Sequence, residues 1–564
     1  MTSHTLFRAA FLFVPLTLLC SVFHPLPAFT AALDVLDKER QARPEPKSQP
    51  PLRVTEEAGR PVYDQSLRFT LASLRVEGAT VFSEEELLAP YAALYGTEVS
   101  FAAINKIAAE LTKKYRDKGY LLSRVTLPAQ ELEPGKAAVR LVAVEGYISS
   151  VEYVGEEKFV EHFRSYFSTA EKKLLGERPL RHQDFEREML LLRDLPGVKV
   201  ASRFKEGDER GASVLVLTVE PKMISGSVGW DNSGTESAGP YMFNASLSLA
   251  ALPFIGAKTT LSYNQAVDFN EYHNIQIAES YQFSNGLSLQ GSYAYSACPD
   301  ADTDFARKFD YSTQSDTFNF GLSYPIIRSR DMNLSAGLAL ASRDTIGDVA
   351  DERFTTDRLR SITANITFDI ADEWGGVSQI IPSFTSGLNI LNATDEAEDA
   401  SNPLAPATYF KFNLYLSRNQ QLFAKFSLFA AASTQFSDAP LSSYNQFQLG
   451  GTQFGRSSEA GIIENDNGAA FTIEPRWTHW LTDKTAIQPY VFYDWGRAWS
   501  HGDVADKPDS ESMSSLGAGL RLWGHVGHDP LPDFSLGFYA AKGLESIRDQ
   551  GTDNRCGVQV TLLF

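Results

Sequence analysis

Cysteine is scarce: three in 564 residues, Cys20, Cys298 and Cys556, too few for a disulfide scaffold. Cys20 lies in the N-terminal apolar run, and Leu18-Leu19 before it is too bulky for a lipoprotein signal. Cys298 reads as loop and Cys556 as the outer face of the last strand, positions that argue against pairing. Strong overall hydropathy is also missing: 43% of residues are hydrophobic and mean hydropathy is −0.21, which excludes a conventional helical membrane protein. Positive charge is in deficit, with a formal net charge of −19 and only scattered Lys and Arg, so no nucleic-acid partner is expected. Catalytic signatures are lacking too. There is no Gly-x-Ser-x-Gly elbow, no phosphate loop and no His-Glu-x-x-His. His525 and His528 have only Asp529 nearby, too few ligands for a metal. No enzyme, metal or cofactor is expected.

Aromatic residues, by contrast, make up 12%, mostly Phe and Tyr, a composition shared by transmembrane barrels and large soluble β proteins. The N-terminus carries Arg8, a short apolar core from Phe11 to Val22 and small residues around Ala28 and Ala31. That order predicts a secretory signal peptide over 1–31, since the apolar run is marginal against the ~20 residues a membrane helix needs. Residues 32–68 are polar and proline-rich, with Pro44, Pro46, Pro50 and Pro51 clustered, and predict a linker with a possible short helix over 33–43.

Two α/β modules follow, at 69–146 and 147–221. In the first, Leu74 to Val76 predicts a strand, and Ser83 with Glu86 a capping box. Ile104, Ile107 and Leu111 keep helical spacing up to Gly119, and strands are expected over 120–127 and 137–144. The second predicts a strand over 148–154, a helix from Glu157, another over 184–195, and strands over 198–204 and 213–219. The expected order is β-α-α-β-β twice.

After Pro221 helical periodicity vanishes. Segments of ~10 residues alternate apolar and polar, as transmembrane β-strands do. Tyr241, Phe243, Ala245, Leu247 and Leu249 alternate with Met242, Asn244, Ser246 and Ser248, and Phe410, Phe412, Leu414 and Leu416 alternate with Lys411, Asn413, Tyr415 and Ser417. One face would meet lipid and the other a wet lumen, with every backbone group paired between strands. The fold class is mainly β: an antiparallel transmembrane β-barrel of about sixteen strands over 222–564, preceded by two α/β domains.

Specific motifs sharpen this. Tyr115-Arg116-Asp117-Lys118-Gly119-Tyr120, Leu127-Pro128-Ala129-Gln130 and Val144-Glu145-Gly146-Tyr147-Ile148 resemble the first POTRA domain of two-partner secretion transporters, the haemolysin secretion/activation protein family. Leu191 to Val198, with Asp194, Leu195, Pro196 and Gly197, resembles their second POTRA domain. The resemblance implies a Gram-negative outer-membrane translocator whose POTRA domains capture an unfolded exoprotein by its N-terminal secretion domain and pass it through the pore. It implies no cofactor, outer-membrane lipid around the barrel, and a monomer inserted by the barrel-assembly machinery, which Phe564 at the C-terminus resembles a signal for. A barrel-assembly insertase of the same superfamily is the alternative, but it usually carries more than two POTRA domains. An outer-membrane lipase or protease would need a nucleophile with a base, and a passive porin would not need periplasmic domains.

The connection from about Asp438 to Asn467, between the eleventh and twelfth expected strands, is long for a loop and so a functional candidate. It contains Leu449-Gly450-Gly451-Thr452-Gln453-Phe454-Gly455-Arg456-Ser457-Ser458, glycines before a single arginine. It resembles the inward-folded loop of the family, whose tip is typically Val-Arg-Gly-Tyr; here Ser457 and Ser458 stand in place of Gly-Tyr. Asp466-Asn467-Gly468 and Glu474 resemble its continuation, and Phe492-Tyr493-Asp494-Trp495-Gly496 a wall strand of the family. With Tyr493 and Trp495 toward lipid, alternation turns Asp494 inward. An Arg456–Asp494 pair locking the loop in the lumen is expected, because a lone buried arginine is costly. Arg476, Lys411 and Lys425 are expected to line the lumen.

Overall fold

The computed structural model describes residues 68–133, 136–268, 271–299, 311–350, 352–501, 509–525, 533–547 and 553–564. The expected signal peptide, almost all of the expected linker with its short helix, and His528 and Asp529 lie outside the described residues. No described helix is long and apolar enough to cross a membrane, which says nothing of strands. The chain divides into two compact units at residue 221.

The first module contains β1 (Arg68–Glu77), α1 (Glu84–Leu88), β2 (Glu98–Ser100), α2 (Phe101–Asp117), β3 (Arg124–Thr126) and β4 (Ala137–Val144). Its sheet runs β2-β1-β4-β3, with β1 parallel to β4. The capping box forms: the Ser83 hydroxyl accepts from the Glu86 amide, and the Glu86 carboxylate accepts from the Ser83 amide. Ile104, Ile107, Leu111 and Tyr115 carry the buried stripe of α2 onto Leu71, Leu74, Val139 and Leu141. The helix gives way at Gly119, whose φ of 90° suits a residue without a Cβ.

The strand expected from Tyr120 is shorter. Tyr120 N donates back to Tyr115 O and Ser123 N to Tyr120 O, so this backbone closes the helix and a turn before β3 begins at Arg124. Beyond β3, just after Pro128, the Gln130 amide stands in for a neighbouring strand. Its Nε2 donates to Arg140 O (2.9 Å) and its Oε1 accepts from Arg140 N (2.8 Å). At Gly146 a Cβ would fall 2.5 Å from Leu122, so this crossing admits only glycine.

Glu145 is the polar hub of the module. Its carboxylate accepts from Thr80 N (2.7 Å), Val81 N (3.0 Å), the Tyr115 hydroxyl (2.8 Å) and the Thr80 hydroxyl. Burial pushes this carboxyl up, but the bonds from Thr80, Val81 and Tyr115 outweigh it and leave it below its usual value. A carboxyl depressed in the fold stabilises at pH above its unfolded pKa, and the contribution disappears as pH falls through the folded value. The first module is therefore expected to become protease-sensitive in acid below about pH 4. Tyr115→Phe removes one donor at a cost of about 1–3 kcal/mol and should move that onset to higher pH. Limited proteolysis of the full chain against pH checks this; identical profiles for parent and variant would contradict it.

The second module contains β5 (Tyr147–Val154), α3 (Glu157–His162), α4 (Arg164–Gly176), α5 (His182–Arg193), β6 (Gly197–Glu206) and β7 (Ala212–Lys222), with sheet order β5-β7-β6. The twofold β-α-α-β-β order is only partly kept. The first module has the extra strand β2, and the second has a third helix because the segment after Glu157 breaks at Phe163. Asp194 N donates to Leu190 O as α5 ends, Leu195 is buried, and Pro196-Gly197 turns the chain into β6.

The second unit begins with β8 (Ile224–Asp231), β9 (Met242–Ala250), β10 (Ala257–Ala266), β11 (His273–Gln282), β12 (Ser288–Cys298), β13 (Tyr311–Arg328), β14 (Met332–Val349), β15 (Glu352–Ala371) and β16 (Gly376–Gly387). It continues with β17 (Phe410–Phe423), β18 (Phe426–Ser437), β19 (Phe447–Leu449), β20 (Ile463–Asn465), β21 (Asn467–Trp477), β22 (His479–Trp480), β23 (Ala486–Trp499), β24 (Ser510–His525), β25 (Asp533–Gly543) and β26 (Asn554–Leu563). All but β19 and β20, which pair with each other, form one closed antiparallel barrel in which β26 returns to β8. β21 and β22 both pair with β23 and make one interrupted strand, so the wall has sixteen. Gly226 and Phe564 exchange backbone bonds at 2.9 and 3.0 Å and finish the closure. Such a wall has no free edge.

The outside is greasy. On β13, Phe318, Phe320, Leu322 and Tyr324 are all exposed, and strand alternation turns Asn319 and its alternates to the opposite face, toward the bore. An apolar band over fully paired backbone fits hydrocarbon. Two expectations need correction. Cys298 is not in a loop: it is the buried last residue of β12, packed with Tyr272 and Tyr311, and neither it nor the exposed Cys556 is in a disulfide. Lys425 does not line the lumen: alternation ends at Phe423, and Lys425 sits exposed in the turn before β18 beside His479 Nδ1.

Candidate functional site

The long connection spans 438–466, since Asn467 already belongs to β21. Its base is held by Asp466, whose carboxylate accepts from Leu441 N (2.8 Å) within the connection and from His501 N (2.9 Å) just past β23. The Asn467 side chain accepts from Ser437 N (2.8 Å), and Lys411 Nζ donates to Asn445 O (3.1 Å). β19 and β20 then form a small hairpin folded against the inner wall. Two wall glycines receive its side chains. A Cβ at Gly468 would fall 1.9 Å from Phe447, and one at Gly496 2.4 Å from Leu449. Phe447, Leu449, Phe454 and Ile463 are buried there with Ala470, Ala498 and Met513.

The tip follows. Gly450 N donates to Phe454 O (2.8 Å) and Gly451 N to Ser458 O (2.9 Å), coiling the chain tightly. Gly455 has φ 94°, a conformation that costs a side-chain-bearing residue energy, and it aims the next residue at the wall. Arg456 is 5% exposed and Asp494 0%. Their contact is bidentate: Nε to Oδ2 at 3.0 Å and Nη2 to Oδ1 at 2.7 Å. Asp494 also accepts from the amides of Gly455 (3.3 Å) and Arg456 (3.0 Å), from Thr472 Oγ1 (2.7 Å) and from Ser515 Oγ (3.1 Å). Every lone pair of this buried carboxylate is engaged.

Glu474 does more than continue the motif. It lies 2.7 Å from Arg456 Nη1, 2.7 Å from Arg476 Nε and 2.6 Å from Arg521 Nη1. In this cluster three guanidiniums face two carboxylates, leaving one positive charge in excess. Aromatic faces take up part of it: Arg456 stacks 3.4 Å over Phe492, Arg521 3.9 Å over Tyr490 and Arg476 4.2 Å over Phe429. Phe492 and Gly496 thus flank Asp494 on the inward face of β23, one as a platform and one as a notch.

Sequence reasoning missed Arg521, Thr472 and Ser515. Alternation alone would have turned all three inward, but pairing them with Arg456 requires the register of β21, β23 and β24. His525, the last residue of β24, pairs with Asp533 at 3.0 Å. Among the described residues no group of His, Cys, Asp and Glu could hold a metal ion. The arrangement around Arg456 offers ion pairs and hydrogen bonds. It is a buried ionic clasp that fixes a loop to the inside of a barrel.

Comparisons with known proteins agree with this fold. Residues 211–522 match the family described as haemolysin secretion/activation protein ShlB/FhaC/HecB, and residues 69–146 match the POTRA domain, ShlB-type. The outer membrane transporter CdiB of Escherichia coli is 25% identical over 508 residues, 87% of this chain and 83% of the relative. The heme/hemopexin transporter protein HuxB of Haemophilus influenzae (strain 86-028NP) is 24% identical over 490 residues, 82% of each. A solved structure of CdiB from Escherichia coli shares the fold with a TM-score of 0.71 at 22% identity, covering 95% of this chain and 97% of that one.

Proposed function

The chain belongs to the haemolysin secretion/activation protein family, and on that premise we propose how its parts move a partner protein. It is a transporter of the cell outer membrane that works with a secreted exoprotein, its POTRA region lying in the periplasm. In our reading, residues 1–31 direct export and 32–68 form the linker. The modules at 69–146 and 147–221 act as two POTRA domains that catch the N-terminal secretion domain of the unfolded partner. Capture proceeds by strand addition, for which the edge strand β6 offers ten residues of backbone. The barrel, 222–564, is the conduit. Its outer face meets lipid, and Phe564, 59% exposed where the wall closes, is available to the barrel-assembly machinery. Transport needs no cofactor and no catalysis; folding of the emerged partner outside supplies direction.

One observation supports the gating step: Arg456, on a loop folded into the barrel, is clasped by Asp494 and Glu474. Passage of a chain requires that loop to leave, and the clasp sets the resting state. Gly496→Val tests this. Its side chain would occupy the space of Leu449 and oppose seating of the loop by about 1–3 kcal/mol. Ion conductance of the purified full chain in planar bilayers should rise, with open events longer and more frequent. Conductance equal to the parent's would contradict the gating role.

A further inference from the structure

The seam where the wall closes is short. The ladder between β26 and β8 runs only from Leu563–Ser227 to Gln559–Asp231, with the Phe564–Gly226 exchange at one end. At the other end side chains take over. Asn232 Nδ2 donates to Cys556 O (2.7 Å), its Oδ1 accepts from Val558 N (2.7 Å), and its own amide donates to Val558 O (3.2 Å). Next to it, Arg555 Nη2 donates to Asn232 O (2.8 Å) and Gly234 O (3.0 Å).

The same guanidinium reaches the inward loop. Arg555 Nη1 donates to Ser458 O at 3.1 Å. Ser458 Oγ donates to Asp553 Oδ2 at 2.8 Å, and the Glu459 carboxylate accepts from Glu236 N at 2.8 Å. The residues just past Arg456 therefore touch both sides of the seam: Asp553 and Arg555 next to and on β26, and Glu236 in the connection after β8. The planar, forked guanidinium holds three carbonyls, two from the connection after β8 and one from the loop, in one fixed plane.

We propose that Arg555 is a positioning residue for transport, joining the loop tip to the far end of the seam so that tip displacement and loosening of that end are one event. The proposal rests on the reading that the loop leaves the lumen. Ser458 supplies the carbonyl and the hydroxyl of the joint. Hydrogen bonds weaken steeply once stretched or bent, so the tip cannot move away while Arg555 keeps all its partners.

Disulfide trapping in outer-membrane vesicles tests this with the full chain. Trp230 and Val560 lie directly opposite across the seam near its latched end. In a Cys298→Ser, Cys556→Ser background, Trp230→Cys with Val560→Cys should cross-link readily on oxidation, since directly opposed Cβ atoms are close enough. Adding Arg555→Gln should slow trapping about threefold, with heat-modifiability of the barrel kept, and adding Arg456→Ala should slow it about equally. The two together should be no slower than either alone, the mark of one shared event. Arg555→Lys, a point charge without the fork, should not restore the parent rate. Unchanged trapping in Arg555→Gln, or slowing that adds up in the double variant, would overturn the proposal. If Arg456→Ala blocks export but leaves trapping untouched, the clasp stands and the link to the seam falls.

Discussion

Arg456→Ala is expected to cut secretion of the partner protein at least about tenfold while the barrel still inserts and remains heat-modifiable. The variant takes from buried Asp494 the guanidinium it pairs with, while Glu474 keeps Arg476 and Arg521. Breaking a buried pair from one side costs roughly 3–5 kcal/mol, enough to lose the ordered resting state from which, in this reading, each passage starts and to which the loop must return. The wall strands keep their ladders, so assembly is spared. Lysine should not rescue, because it cannot make the two parallel bonds to Asp494 or lie flat on Phe492. Partner protein in the medium, measured against barrel in the membrane fraction, decides it. Parent-level secretion by Arg456→Ala would remove the clasp from the mechanism.

Deleting 69–145 is expected to abolish secretion altogether. The cut removes the first module with its Glu145 hub but keeps Gly146, whose carbonyl accepts from Leu180 N in the second module. The second module retains its own sheet and the buried residues Phe163, Phe167, Leu191 and Leu192. Capture in this reading takes both modules at once, so β6 of the second module alone does not hold the partner's secretion domain. The partner should accumulate in the periplasm and be degraded there, while the barrel stays in the outer membrane. A deletion variant that still secretes its partner would show that the first module does not do the capturing.

What could be read beforehand follows from which rules are local. Period-two alternation is enforced at every wall residue by lipid on one side and lumen on the other, so Asp494 between Tyr493 and Trp495 could be turned inward from sequence. Gly455 before Arg456 signalled a tightly bent tip for the same local reason. Register between strands is not local. The convergence of Arg521 on Glu474, and of Thr472 and Ser515 on Asp494, depends on pairing β21 with β23 and β23 with β24, which no single segment encodes. The contacts of Ser458 with Asp553 and Arg555 join residues nearly a hundred positions apart and were equally hidden. Where local rules misled, a turn had intervened. At Lys425 alternation was carried past the end of a strand, and at Tyr120 the residue after a helix was still committed to closing it.

The claim on which all this depends is that the partner passes through the lumen. A photo-cross-linking amino acid at Asn319, which faces the bore on β13, can be compared with one at Phe320, which faces lipid. With secretion stalled by a folded domain fused to the partner, the account predicts adducts to the partner at position 319 and none at 320. Continued secretion with no adduct at 319, or adducts only at 320, would contradict it.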